Sequence, residues 1–373
     1  MKELVKFELY KIFKQRTVYI TLFLLVLFST GFTFNHSTEM ERQLYKDWEG
    51  PITKEKAELA EKEYQNLMRV MDQRAEARQG AQGGHMFTDQ EQTQSGIYET
   101  IAFIKNSEQR LKSRYKEIRE DNKYNTELEK SMIQKVDLSY FSYNKGPRET
   151  VDYASTYALL ITGAMLLIGL STTYTKEYSS RVDRYILSSS KGRESLLWSK
   201  IMAAFIYASS IVLITEIFNL IWNGIRYGYD GWTSPIQNMH TYFFSNYSFT
   251  LIEFHFIQLG FHLLAAFSFA LVIILVSSLC KNSFISFIIN GVIFALPYWF
   301  VESMNLPTWL SDVFSFSFLY IMKVEFLFHH FNTINLFGMP VLYPFIALVW
   351  VLVVSFIAVL VSSRVIKNKE VTI

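Results

Sequence analysis

One cysteine, Cys280, in 373 residues excludes an intrachain disulfide. Any polar module in this chain is therefore not a disulfide-stapled secreted fold. The phosphate-cradling pattern G-x-x-x-x-G-K-[ST] is absent, so the chain does not bind ATP in that manner. H-E-x-x-H and G-x-S-x-G are absent too, and the histidine pairs lack a third ligand at metal spacing. An enzyme that needs a nucleophile or a metal has nothing here to build on, and no cofactor of the chain's own is expected. An excess of either charge is also missing. Lys and Arg total 36 against 34 Asp and Glu, a net of +2, which argues neither for nor against nucleic acid; no nucleic-acid partner is expected.

What is present is apolar sequence. Half of the residues are hydrophobic, with 32 Phe and 22 Tyr, and the charges are crowded into a few stretches. Apolar runs of roughly 18 residues or more read as membrane-spanning helices. Six runs qualify or nearly do: 17–34, 153–174, 201–223, 251–280, 284–301 and 341–363. The expected fold class is an all-α polytopic membrane protein with six spans. No small-residue cleavage site follows the first run, where the sequence reads GFTFN at 31–35, so an uncleaved helix is expected.

Lys and Arg collect in short cytoplasmic loops. Lys2, Lys6, Lys11, Lys14 and Arg16 precede the first run, six cations fall in 176–200, and Arg364, Lys367 and Lys369 close the chain. The opposite loops, 224–250 and 302–340, hold only Arg226 and Lys323. Both termini are therefore expected inside and the polar block 35–150 outside. Residues 1–16 place Leu4, Val5, Leu9, Ile12 and Phe13 on one face, which fits either a helix lying in the membrane interface or a simple basic anchor. In either case membrane lipid is a partner.

In the external block, Ile97, Ile101, Ile104, Glu108, Leu111, Tyr115 and Ile118 are spaced 4-3-4-3-4-3, a heptad seam. Ala60, Tyr64, Leu67 and Met71 keep the same rhythm upstream, and the glycine-bearing stretch 79–96 reads as a flexible connection. An antiparallel helical pair leaning on external loops, a second copy or a ligand fits this pattern; so does a solvated spacer. Between Pro307 and Pro340 the abundance of Phe places the chain at the membrane interface or slightly re-entrant.

Ionisable residues inside a span face protein or water, because exposing them to lipid costs at least about 2.5–3.5 kcal/mol. Glu216 and Asn219 share a face of the third run; Glu253, His255 and His262 lie in the fourth, and Asn290 in the fifth with Pro297, which should kink or end that helix. Glu216 reads either as a pathway residue or as a structural partner for a Ser, Tyr or His on a neighbouring helix. Glu253 is near the outer boundary.

The polar insert 176–200, KEYSSRVDRYILSSSKGRESLLWSK, separates two long apolar runs and carries Val182, Tyr185 and Ile186 at helical spacing. In this setting the chain resembles the integral-membrane subunits of ABC-2 type exporters: an amphipathic N-terminal helix, six spans with both ends inside, a large first external segment. In that family the second-to-third-span loop runs from an acidic residue through a glycine to a Leu-Leu pair, a proline, an arginine and a lysine. Glu177, Ile186-Leu187, Arg193 and Lys200 occupy those places here, with Ser179-Ser180-Arg181 in the glycine region and Ser190 at the proline.

The resemblance implies that this loop is a coupling helix seated on a separate ABC ATPase subunit, which binds the ATP and Mg. Glu177, Arg181, Asp183, Arg184, Tyr185, Ile186, Leu187 and Arg193 would form the contact, with Tyr185–Leu187 in a groove and the arginines on acidic rims. It also implies a homodimer or a paired second permease, and export of an amphipathic or hydrophobic substrate such as a peptide, antibiotic or lipid-like molecule. The competing reading is a membrane-bound sensor whose external helices bind a ligand.

Overall fold

The computed structural model describes residues 1–31, 39–77, 88–120, 123–182 and 192–369, and it is mostly helical. Helix α1 (Lys2–Phe13) and helix α2 (Arg16–Ser29) meet at a 60° bend, because Gln15 between them is extended. The first span thus differs from the expected 17–34. Helix α2 has 14 residues. At 1.5 Å per residue it reaches about 21 Å, short of a hydrocarbon core of about 30 Å. Among the described residues five other helices are each long and apolar enough to cross, and the bent pair would make a sixth if it counts as one span.

The polar insert forms its own core. Helices α3 (Glu39–Trp48), α4 (Lys54–Ala77), α5 (Asp89–Glu120) and α6 (Thr126–Ile133) enclose it. Strand β1 (Gly50–Pro51) pairs antiparallel with β2 (Tyr140–Phe141), closing the insert where the chain enters and leaves. Arg74 meets Glu91 at 2.8 Å, and residues 54–62 face 102–109, so α4 and α5 run antiparallel. Of the heptad seam, Ile97, Ile101, Ile104, Leu111 and Ile118 are buried, while Glu108 is ion-paired with Lys105 and Lys112. The helix starts earlier than expected and takes in Gly96, because Thr88 and Glu91 form a reciprocal capping pair at its start. The glycines at 80, 83 and 84 lie outside the described residues. The pair leans on a loop of its own chain: Ser107 and Arg110 donate to the Phe243 carbonyl, and the Phe103 and Phe243 rings are 3.9 Å apart.

The second span is continuous over 145–179. It comprises α7 (Lys145–Tyr153), a π-helical turn (Ala154–Ala158), α8 (Leu159–Leu170) and α9 (Thr175–Ser179). Helix α10 (Gly192–Tyr227) begins before the expected 201 and absorbs Lys200. Helix α11 (Leu251–Leu279) is central, packed by the second span, by α10 and by the two spans that follow it. Helix α12 (Ser283–Ser303) runs past Pro297, which therefore does not end it. Short helices α13 (Thr308–Ser315), α14 (Phe318–Lys323) and α15 (Glu325–Phe328) follow. Much of this aromatic stretch goes inside: Leu319, Ile321, Met322 and Leu327 join the main core, and Phe328 packs against Tyr247, Phe254 and Phe261. The hairpin β3 (Thr333–Leu336) and β4 (Met339–Leu342) then leads into α16 (Tyr343–Lys367).

The connections sort to two ends of the bundle. At one end the insert touches both the 228–250 loop and the hairpin, through Arg110 on Phe244 and Tyr124 on Thr333. At the other, α1, residues 171–182, the start of α10, the α11–α12 turn and the end of α16 come together, as in the Thr175–Ser283 and Lys367–Glu194 contacts. The basic loops thus share one end and the loops poor in cations share the other.

Candidate functional site

At the basic end, three segments meet on four charges. Helix α1 turns Glu8 inward, leaving it 4% exposed, with Lys11 one turn along. Glu177 comes from α9 and Lys200 from the first turns of α10. Lys200 Nζ is completely buried; it donates to Glu177 Oε1 at 2.7 Å, to Glu8 Oε2 at 3.1 Å and to the Thr173 carbonyl at 3.0 Å. It also lies 4.7 Å from the Tyr174 ring centre. Lys11 Nζ bridges the same two carboxylates, each at 2.7 Å. Two cations and two anions cancel, which is what permits burial. Desolvating any one of them alone would cost several kcal/mol.

This cluster closes the base of the 176–200 loop and fastens it to the N-terminal helix. The chain's other end is attached as well: Lys367 on α16 pairs with Glu194, its carbonyl accepts from Arg193 at 2.5 Å, and Lys369 lies over the Tyr178 ring. Arg181 ends α9 in the left-handed region, at φ 58°. Its N–H donates to the Tyr178 carbonyl and that of Val182 to Glu177, the paired bonds of a Schellman cap. A glycine would adopt that conformation without strain.

Of the residues expected to contact an ATPase, Glu177 is instead turned into the cluster, Arg193 is engaged by the end of α16, and Arg181 is exposed at the cap. Asp183, Arg184, Tyr185, Ile186 and Leu187 lie outside the described residues. Lys200, read from sequence as a loop cation, is a buried helix residue.

A second polar group lies inside the bundle. Glu216 Oε1 is 2.9 Å from His255 Nε2, and Asn219 donates to the same oxygen at 3.2 Å and to the Thr150 carbonyl at 3.0 Å. Asn223 extends the row by donating to Asn219 Oδ1. Gln258 donates to the Val151 carbonyl and to Ser155. The Thr150 and Val151 carbonyls lie just before the π-helical turn and also accept the Ala154 N–H, so each is shared between backbone and side chain. His255 Nδ1 and Gln258 Oε1 are buried without a partner. Glu216, Asn219 and His255 are thus brought together, with a histidine on a neighbouring helix as the glutamate's partner.

The other expected intramembrane residues stand apart. His262 meets Thr162 at 3.0 Å, and Asn290 donates to the Ser286 carbonyl within its own helix. Glu253 does not belong to this set: it is exposed and forms a capping box with Thr250. The T-x-x-E spacing at 250–253 carried that signal. Among the described residues no group of three His, Cys, Asp or Glu could hold a metal ion.

Glu8 and Lys11 were missed from sequence, since a mixed-charge face on a short basic helix reads as solvated. The available signal was weak: Glu8 sits on the side of Leu4, Val5 and Ile12, where a lone acid needs a cation. No family model, curated protein or solved structure matches the chain.

Proposed function

We propose that this chain is the membrane-spanning permease subunit of an ABC-2 type exporter, driven by a separate ATPase that docks on the 176–200 loop. The observation that carries this reading is the four-charge cluster of Glu8, Lys11, Glu177 and Lys200. A loop that receives a push transmits it only if its two ends move with the spans they join. Here both ends are tied to each other and to α1 by charge-assisted bonds, the stronger class of hydrogen bond. Because the pairing is buried, salt screens it little.

ATP and Mg would be bound by the partner, a reading supported by the lack of a G-x-x-x-x-G-K-[ST] pattern in the sequence. Two further features agree. Apolar residues cover much of the outside of α12 and α16, where Phe284, Ile288, Phe345, Val349 and Phe356 are exposed; such faces meet lipid or a second permease. The basic end of the bundle would face the cytoplasm of a bacterial plasma membrane, with the insert outside. An amphipathic or hydrophobic substrate would pass between two such subunits.

The test is affinity purification of the full chain from its native membrane in mild detergent. An ATPase subunit should co-purify in stoichiometric amount, and substitution of Arg184→Glu with Ile186→Asp should release it. Retention of the ATPase by that variant, or recovery of the chain alone, refutes the proposal.

A further inference from the structure

A cavity of about 580 Å³ opens beneath the insert, between α3 and the residues that follow β2. Glu39, Arg42, Lys46 and Glu49 form one wall. Their 3-4-3 spacing puts them on one face of α3 and its C-terminal continuation. The other face of the helix is committed to the insert core: the Tyr45 ring stacks 5.8 Å from Phe141, and Trp48 lies 5.1 Å from Tyr98. Tyr140 and Asp230 stand on the facing wall.

The charges on this wall run acid, base, base, acid, with a third acid opposite. Glu39 with Arg42 and Lys46 with Glu49 are at a spacing that allows ion pairs on a helix. Among the described residues, neither of these pairs forms one. Arg42 Nε is buried without a partner. Charged groups that line a cavity unpaired offer bonds to a ligand carrying the complementary charges. A simple anion would satisfy only the middle of the stripe, and a simple cation only its ends.

The floor is closely packed. A Cβ on Gly231 would lie 2.2 Å from the Tyr143 carbonyl oxygen, and one on Gly146 would lie 2.0 Å from that of Gly228. The two backbone segments are therefore in direct contact, and the Tyr143 hydroxyl adds a bond to the Tyr227 carbonyl at 2.8 Å. Glu41, on the neighbouring face of α3, is paired with Lys145 at the start of the second span, at 2.6 Å. A ligand in the cavity would thus rest where the second and third spans reach this end of the bundle.

We infer that this cavity is a binding site for a short peptide carrying both a free carboxylate and free ammonium groups. Arg42 and Lys46 take the carboxylate, Glu39, Glu49 and Asp230 take the ammonium groups, and Ser142 and Thr233 are at hand for the peptide backbone. The volume lies within the usual range for ligand pockets, about 300–1,000 Å³. This site is independent of the permease reading and would stand if no ATPase were found.

The experiment is calorimetric titration of the full chain in lipid nanodiscs with a pool of unblocked tetrapeptides, each containing Lys and Glu, and with the same pool acetylated and amidated with Gln in place of both. Saturable binding of the charged pool is expected, weakened at least about tenfold by blocking or by Arg42→Gln with Lys46→Gln. Glu39→Gln with Asp230→Asn should weaken it similarly, at an unchanged melting temperature. Equal binding of the neutral pool, no saturable binding at all, or full binding by both folded variants would overturn the assignment.

Discussion

Lys200 and Glu177 are 23 residues apart in the chain and 2.7 Å apart in space, and the ammonium group between them is fully buried. The loop they bracket is joined at its base by an ion pair that neither span could form alone. Because Glu8 and Lys11 complete the pairing, the N-terminal helix is part of the same unit.

Removing one member of this cluster should hurt more than removing a neutral pair. Lys200→Met leaves two carboxylates facing only Lys11 and should cost about 3–5 kcal/mol. Lys200→Met combined with Glu177→Gln restores neutrality and should recover a large part of that loss. Thermal unfolding in detergent compares the three; a single variant as stable as the wild type would show that the cluster is not buried as described.

Arg181 should be improvable. Its φ of 58° costs a side chain roughly 1–2 kcal/mol that glycine does not bear. Arg181→Gly therefore stabilises by up to about 1 kcal/mol, offset in part by the freedom glycine gains when unfolded. Arg181→Val should be worse than the wild type. The order Gly, Arg, Val in melting temperature is the readout, and Val equal to Gly would contradict the cap.

Glu216 and His255 should be energetically coupled. His255→Leu leaves Glu216 buried with Asn219 alone, whereas Glu216→Gln keeps a hydrogen-bonding side chain. A double-mutant cycle on melting free energies should give a coupling of about 1–3 kcal/mol. Additive effects would mean that the 2.9 Å contact carries no energy.

The α4–α5 pair should loosen in acid. Hydrogen bonds from the Thr88 backbone and hydroxyl, then Arg74, hold Glu91 below its ordinary 4.5, and hydrogen bonds from Lys105 and Lys112 do the same for Glu108. A carboxyl depressed on folding contributes stability that is present above its unfolded value and is lost as pH falls through the folded one. Amide-exchange protection in the insert, corrected for intrinsic rates, should therefore hold above pH 4.5 and decline below it. Protection independent of pH in that range would show that these bonds are solvent-screened into insignificance.

Sequence patterning located most of the fold because it depends on local periodicity. Hydropathy marked α10, α11, α12 and α16 to within a few residues at most ends, and the seam from Ile97 to Ile118 was legible as a heptad repeat. The first span was less so: an apolar run does not record that Gln15 bends the chain or how far the helix continues. The charged cluster was not legible, since Glu8, Glu177 and Lys200 come from three distant segments and each alone reads as surface or as an orienting charge. Glu253 went astray for the opposite reason. Its role is local, set by Thr250 three residues before it, and a carboxylate at the edge of an apolar run drew attention to the membrane instead of the cap.

The central claim is that energy enters this chain through the clamped loop. ATP hydrolysis by the co-purified complex, reconstituted with the full chain, tests it most directly. On the proposed reading the chain should stimulate an ATPase partner, and the folded double variant Lys200→Met with Glu177→Gln should bind that partner yet lose at least about tenfold of the stimulation, since a neutral pair lacks the charge-assisted bonds that tie the two ends of the loop together. Undiminished stimulation by that variant, or the absence of any ATPase to stimulate, would contradict the account.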